Sequence, residues 1–153
     1  MQTSNQLDVI GIGNAIVDTL ASGTEDFLTN QGLPKGGTTL VDREEAARIS
    51  KSIGAHTSQK SGGSVANSMA GIALLGGTGS YVGKVHDDEL GLFFRSDLNA
   101  LGINFDTHPL KYGPPTAQCL VIVTPDGQRT MATYLGASTN LSPEDIDAET
   151  IKT

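Results

Sequence analysis

The sequence has little cysteine, few basic residues and no long apolar run, and each shortage excludes a class of protein. The single cysteine, Cys119, cannot form a disulfide framework or a cysteine-rich zinc site. Ten basic residues, scattered along the chain, face 17 acidic ones, for a formal charge of -7, which argues against nucleic acid as a partner. No stretch approaches the roughly 20 apolar residues of a membrane span, and the polar N-terminus does not resemble a signal peptide. We therefore expect a cytoplasmic protein that binds neither nucleic acid nor membrane.

Tryptophan is missing and apolar residues make up only 37%, whereas glycine is abundant at 19 residues. This balance is typical of an α/β protein with many tight loops, and 153 residues are enough for one domain with a working core. The histidines show no metal-ligand spacing and no Ser/His/Asp arrangement with other residues, so we expect no metal site in the chain.

Hydrophobic periodicity predicts an alternation of strands and helices. A buried strand at 7–13 comes first, and a helix running to residue 75 is followed by a strand at 80–85, a helix to residue 101 and a strand at 103–106. This alternation favours a parallel sheet with right-handed crossovers.

Local capping patterns predict several helix ends. Asp42 with Glu45 three residues later forms a capping box, and Gly54 would end that helix. The helix after the stretch 61–68 should stop at the glycine pair 76–77, and Asp87 or Asp88 should cap the next helix.

Two β-rich segments interrupt this alternation. Residues 19–41 are irregular, with short strands near residues 21 and 38–41, and the runs 116–124 and 129–135 are joined by an Asp-Gly turn that predicts a hairpin. We expect the two segments to pair into a small sheet that covers the ligand edge of the core. The predicted division is an α/β core of residues 1–18, 42–112 and 136–153 and a β lid of residues 19–41 and 113–135.

The last stretch predicts a helix. Ser142 is a candidate N-cap, Pro143 suits the first helical position, and acidic residues follow in the first turn. Since this newly started helix has no apolar face to bury, we expect the chain to be the N-terminal part of a longer protein.

The stretch 61–68 is the strongest candidate for a ligand site. Gly62 and Gly63 allow a close approach of the backbone, and the helix that follows offers unpaired N–H groups beside the polar side chains of Ser64 and Asn67. The alternative is an ordinary helix start with two turn glycines.

Asn14 and Asp18 follow the first predicted strand, where ligands bind in open parallel sheets. Together with the stretch 61–68 they provide a carboxylate, amides and backbone N–H groups, which suit vicinal hydroxyls. Asp18 has the alternative role of a turn cap, and Asn67 that of a solvent-facing residue. A dinucleotide-binding site is disfavoured because Gly11 and Gly13 lack the third glycine of that motif.

Three stretches of the sequence resemble one family. The glycine-rich stretch 62–68 resembles the first signature of the ribokinase-like PfkB family of sugar and nucleoside kinases, residues 13–18 resemble its first-strand motif, and residues 129–137 are similar to its lid strand. The resemblance implies an α/β protein with a ribokinase-like parallel-sheet core, here the N-terminal part of a three-layer sandwich, and a small β lid built from two excursions. The Gly-Gly-Ser form of the first signature is closest to adenosine kinases.

The resemblance also implies an activity and its residues. The family transfers the γ-phosphate of ATP, with Mg²⁺, to a hydroxyl of a sugar or nucleoside, and lids in the family can pair into homodimers, here through the hairpin edge. The implied substrate-binding residues are Asn14, Asp18, Gly62, Gly63, Ser64 and Asn67. The implied lid residues are Thr38, Leu40, Met131 and Thr133, and Arg129 would contact the phosphoryl group.

The family's second signature, which supplies the aspartate base and the ATP-binding amides, has no counterpart in the sequence. We therefore expect the catalytic Asp and most of the ATP and Mg²⁺ sites to lie outside the chain, and the 153 residues alone to be inactive. Adenosine or another nucleoside is the favoured acceptor. The alternatives are a ribokinase- or fructokinase-like sugar kinase and a non-catalytic nucleotide-binding module.

Overall fold

The structure is a computed structural model that describes residues 7–53 and 58–152. Its strands are β1 Val9–Ile12, β2 Ile16–Ser22, β3 Thr38–Leu40, β4 Ser58–Gly62, β5 Gly79–Val82, β6 Ile103–Asn104, β7 Ala117–Val123 and β8 Arg129–Tyr134. Its helices are α1 Glu25–Gln31, α2 Arg43–Ile53, α3 Ser64–Leu74, α4 Glu89–Ala100 and α5 Ala148–Lys152, with 3-10 turns at Gly136–Asn140 and Pro143–Asp145. None of the helices in this part of the chain could cross a membrane, because none is long and apolar enough.

A three-stranded parallel sheet in the order β1-β5-β6 forms the first layer. Helices α3 and α4 pack on it around a buried aromatic cluster of Tyr81, Phe94 and Phe105, whose ring centroids lie 5.4–5.6 Å apart. Tilted and edge-on rings at such distances attract each other beyond the area they bury. The predicted α/β class with a parallel sheet is confirmed.

A second, five-stranded sheet has the order β3-β8-β7-β2-β4. The predicted hairpin is confirmed as the antiparallel pair β7–β8, and it pairs with the earlier β segment through the parallel pairs β2–β7 and β3–β8. Helices α1 and α2 pack on one face of this sheet, against Leu120, Ile122 and Ala132.

The local capping predictions agree with the structure. The Glu45 N–H donates to the Asp42 carboxylate at 2.8 Å and the Asp42 N–H to the Glu45 carboxylate at 3.2 Å, which is the reciprocal capping box. Asp88 caps α4, and α3 ends just before Gly76. Gly54 lies outside the described residues.

Two elements were not predicted. Helix α1 lies in the segment 19–41 that was expected to be irregular; it is capped by Thr24 and closed by Gly32, so that glycines bound the helix instead of breaking it. Strand β4 has the polar sequence SQKSG and no apolar alternation, and it is a strand because it pairs with β2. Residues 61 and 62, expected in a loop, end this strand.

Ser142 is the predicted N-cap and Pro143 follows it at the first helical position, but the predicted continuous helix to the end of the chain is wrong. A 3-10 turn ends at Asp145, and α5 begins only at Ala148. The Asp145 carboxylate accepts hydrogen bonds from the Ser142 N–H and hydroxyl at 3.0 and 3.2 Å and forms a largely buried ion pair with Lys84. The turn is therefore held to the core by contacts that do not continue a helix.

The hairpin has no exposed edge of the kind expected for a homodimer contact. Strand β3 covers the outer side of β8 and β2 covers that of β7, so the sheet ends at β3 and β4. The division into core and lid remains a proposal, and the sheet order differs from the predicted ranges because β4 and all of β2 belong to the five-stranded sheet.

The aromatic cluster predicts a large stability effect for Phe94, which is fully buried. We expect Phe94→Ala to lower the free energy of unfolding by about 3–5 kcal/mol, because the cavity left in the cluster cannot fill. Leu92→Ala on the same helix is the matched control: Leu92 is 64% exposed, and its truncation should change stability by no more than about 0.5 kcal/mol. Chemical denaturation measures both, and equal effects would contradict the assignment of the core.

Candidate functional site

The register of the five-stranded sheet places five residues in one row across it. The row runs from Leu40 of β3 through Thr133 of β8, Cys119 of β7 and Asp18 of β2 to Lys60 of β4. Residues paired in this way point to the same face of a sheet. This face is opposite to the one that α1 and α2 cover, and it carries the predicted acceptor carboxylate.

Asp18 lies inside β2, whereas the sequence placed it in a loop just past a strand end. Its carboxylate lies directly over Gly62 of the neighbouring strand: a Cβ built on Gly62 would be 2.3 Å from Asp18 Cγ. Burial raises the pKa of Asp18. No described side chain donates a hydrogen bond to it or forms an ion pair with it. Asp18 is thus a half-buried carboxylate with free acceptor capacity.

Gly63 connects this strand to α3 in a conformation that favours glycine. Its φ is +91°, and a Cβ there would lie 2.6 Å from the backbone oxygen of Asn14. Gly63 is also the N-cap of α3 and offers no side-chain cap, which leaves the first N–H groups of the helix for another acceptor. The Asn67 N–H already donates to the Gly63 carbonyl at 3.0 Å.

The structure therefore brings the predicted substrate-binding residues to one place. Gly62 touches Asp18, Gly63 touches Asn14, and the remaining two are exposed in the first turn of α3. The members of this set are Asn14, Asp18, Gly62, Gly63, Ser64 and Asn67. Their assignment to a substrate remains a prediction.

The predicted lid residues share the Asp18 face of the sheet. Thr38 pairs with Met131 and Leu40 with Thr133, each pair one or two strands from β7. A groove of about 300 Å³ lies at the Leu40 end of the row, and apolar side chains line it together with Thr133, Tyr134 and Thr139. The register therefore places all four residues on the face of the sheet that carries Asp18.

Cys119 is buried and lies in the row between Thr133 and Asp18, and the Thr133 hydroxyl donates to its sulfur at 3.3 Å. Burial raises the pKa of the Cys119 thiol, so it remains a neutral neighbour of the carboxylate. Only the pairing of β2 with β7, about a hundred residues apart, identifies this neighbour.

Arg129 shares the same face but lies at the far end of β8. It pairs with Val123, which is four residues along β7 from Cys119, so about 13 Å of strand separates it from the Asp18 row. Its contact with a phosphoryl group remains a prediction.

A larger cavity, of about 530 Å³, lies elsewhere in the described part of the chain. It is lined by residues of β1 and β5 and by the segments 106–108 and 144–151, and contains none of the predicted site residues. Nor do residues 7–53 and 58–152 contain a group of three or more His, Cys, Asp or Glu side chains that could hold a metal ion. We therefore place the candidate site at Asp18, because the predicted site residues meet there, although the neighbouring groove is the smaller of these two cavities.

The parallel α/β layer joined to a second sheet is a ribokinase-like fold, which matches that of a solved adenosine kinase. The chain belongs to the pfkB family of carbohydrate kinases, whose family model matches residues 30–152.

Two solved structures match it with a TM-score of 0.88 each. An adenosine kinase from Sinorhizobium meliloti is 44% identical, and a probable sugar kinase protein from Rhizobium etli is 41% identical. Each match covers 95% of this chain and 44% of the other. A curated relative, the probable chloroplastic fructokinase-6 of Arabidopsis thaliana, is 34% identical over 93 residues, which are 60% of this chain and 24% of that protein. The chain thus spans less than half the length of the proteins it resembles.

The raised pKa of Asp18 predicts that its charge destabilises the fold. A carboxyl group whose pKa is higher in the folded state destabilises that state above its folded pKa, and this penalty disappears below its unfolded pKa. We expect Asp18→Asn to raise the melting temperature at pH 7. The gain should vanish at about pH 3, where the Asp18 carboxyl group is largely protonated in both the folded and the unfolded state.

Asp87→Asn, at an exposed carboxyl group, is the control and should change the melting temperature little at either pH. Thermal unfolding at several pH values measures both variants. A lower melting temperature of Asp18→Asn at pH 7 would show that the carboxylate is stabilised by partners and would contradict the unpaired geometry.

Proposed function

We propose that the full-length protein transfers the γ-phosphate of ATP to the hydroxymethyl group of a ribose-like acceptor, with adenosine or another nucleoside as the favoured substrate. The observation that carries the proposal is the half-buried, unpaired carboxylate of Asp18 over Gly62. A carboxylate can accept hydrogen bonds from two neighbouring hydroxyls at once, and these charge-assisted bonds are stronger in a partly buried site.

The surroundings of Asp18 support a sugar ring in this place. The Asn14 and Asn67 amides can donate and accept, and the Ser64 hydroxyl and the N–H groups at the start of α3 add donors. Since Gly62 and Gly63 have no side chain, the ring can approach the backbone closely. These groups bind and orient the acceptor, which is a large share of what a phosphoryl-transfer site must do.

The apolar end of the row favours a nucleoside over a free sugar. Leu40 is 67% exposed, and the groove beside it is lined by Val41, Pro114 and Leu135. An exposed apolar side chain next to a polar site suits the flat face of a base. A free hexose would leave this surface without a partner.

The described residues contain no group of three or more His, Cys, Asp or Glu side chains that could hold Mg²⁺. We propose that ATP, Mg²⁺ and the aspartate base are held by other parts of the longer protein. From this chain we assign only Arg129 a role toward the phosphoryl group, by the resemblance of residues 129–137 to the family's lid strand.

A sugar kinase is the second candidate. It is supported by the fructokinase of Arabidopsis thaliana and the probable sugar kinase of Rhizobium etli, whose identities to this chain are 34% and 41%. In both candidate functions Asp18 would bind the sugar hydroxyls. They differ in whether a nucleoside base lies over Leu40.

The test is phosphate transfer from ATP to adenosine, ribose and fructose by the full-length protein. We expect the highest kcat/KM with adenosine. Asp18→Ala should lower that kcat/KM by at least about 100-fold, because two hydrogen bonds to a charged group are lost. A preference for fructose or ribose would select the sugar kinase, and transfer to none of the three would refute the proposal.

Gly62 provides a second prediction, based on steric contact alone. A methyl group at this position would collide with the Asp18 carboxylate, so we expect Gly62→Ala to raise the acceptor KM at least about tenfold. Gly71→Ala is the matched control: the added Cβ would meet nothing within 4 Å, and in a helix it should stabilise the protein by up to about 1 kcal/mol. Equal acceptor KM values for the two variants would contradict the close packing of Asp18.

A further inference from the structure

Helix α4 holds the strand that leads into the glycine turn through a side chain that the sequence did not single out. One carboxylate oxygen of Asp97 accepts hydrogen bonds from the Ser61 N–H at 2.8 Å and from the Ser61 hydroxyl at 2.6 Å. Ser61 directly precedes Gly62. Asp97 therefore fixes the backbone one residue before the turn on which the Asp18 carboxylate rests.

A second carboxylate, at the N-cap of the same helix, holds another strand of the same sheet. Asp88 accepts from the Thr116 N–H at 2.9 Å and from the Thr116 hydroxyl at 2.6 Å, and Thr116 directly precedes β7. Asp88 also caps α4 through the Gly91 N–H at 2.8 Å, so its removal would disturb the helix itself. Asp97 lies in the last turns of α4 and makes no capping contact.

The two held strands are the two neighbours of β2. Ile16 pairs with Gly62 on one side and with Ala117 on the other. The hydrogen bonds of Asp88 and Asp97 therefore hold the strands on both sides of Ile16, the first residue of β2, which lies two residues before Asp18.

Strand β4 depends on this contact more than β7 does. Among the described strands it pairs only with β2, at the edge of the sheet, and its side chains at 58–60 are exposed and polar. An edge strand without buried apolar side chains is weakly specified in register. The two hydrogen bonds from Ser61 to Asp97 supply the restraint on its other side.

We propose that Asp97 is a positioning residue for the acceptor site: through Ser61 it fixes Gly62 and Gly63, and through them the place of Asp18 and the ring that it binds. This rests on the proposed acceptor function of Asp18. Loss of Asp97 should therefore weaken acceptor binding while leaving the binding of ATP intact.

The experiment compares Asp97→Ala with Asp97→Asn in the full-length enzyme, using the acceptor that the wild type prefers. The alanine variant loses both hydrogen bonds, so we expect its acceptor KM to rise at least about tenfold while the KM for ATP stays within about twofold. The asparagine variant keeps a carbonyl oxygen that can accept both bonds, and its acceptor KM should stay within about threefold.

Two further variants accompany this comparison. Glu89→Gln is the control, because it makes the same kind of change at an exposed carboxylate of α4 and should leave both KM values unchanged. Ser61→Ala removes the hydroxyl bond and keeps the N–H bond, so its acceptor KM should lie between those of the wild type and Asp97→Ala. Ser61→Ala also provides the test if Asp97→Ala does not fold.

An unchanged acceptor KM in Asp97→Ala would overturn the proposal, as would equal increases for acceptor and ATP or no rescue by asparagine. If the wild type phosphorylates none of the acceptors, the proposed function fails, and hydrogen exchange still decides the positioning role. Faster exchange of the amides at 16–19 and 61–64 in Asp97→Ala, but not in Glu89→Gln, would support it. Unchanged exchange there would overturn it.

Discussion

The close approach of β4 to β2 at Gly62 is the constraint on which the candidate site depends. The Asp18 side chain occupies the space that a Cβ of Gly62 would fill, and Gly63 then turns through a positive φ against the Asn14 carbonyl. A side chain at position 62 would displace Asp18, and one at position 63 would collide with the Asn14 carbonyl. The glycine pair therefore serves a steric purpose before any ligand is considered, and it also determines where helix α3 begins.

Helix α4 links this constraint to the rest of the molecule. Its buried side is anchored by Phe94 in the aromatic cluster of the three-stranded sheet, while Asp88 and Asp97 hold two strands of the five-stranded sheet. The same helix thus belongs to the core by apolar packing and to the site by hydrogen bonds. Packed cores resist small displacements. Because α4 is anchored in the core, its hydrogen bonds to β4 hold this polar edge strand in place.

Local patterns and the pairing of the two β segments could be predicted from the sequence, whereas the register of that pairing and the existence of strand β4 could not. The capping box at Asp42 and the glycine turn at 62–63 each depend on residues within a few positions of one another. The polar strand β4 has no pattern of its own, since its pairing with β2 creates it. The role of Asp97 could not be predicted either, because its partner Ser61 is 36 residues away. Nor could the position of Cys119 beside Asp18, since it follows only from the sheet register.

A half-buried carboxylate without a partner is unfavourable for folding, and this explains why its neighbours are so closely fixed. Burial raises the pKa of Asp18 because it disfavours the charged form of the carboxyl group, and no described side chain supplies a partner that would offset this. The unfavourable energy would be relieved if the strand moved outward and let water in. The contacts of Ser61 with Asp97 and of Gly63 with Asn14 oppose this movement. Under the proposed function, hydroxyl groups of a bound ring would supply the hydrogen-bond donors that Asp18 lacks in the fold.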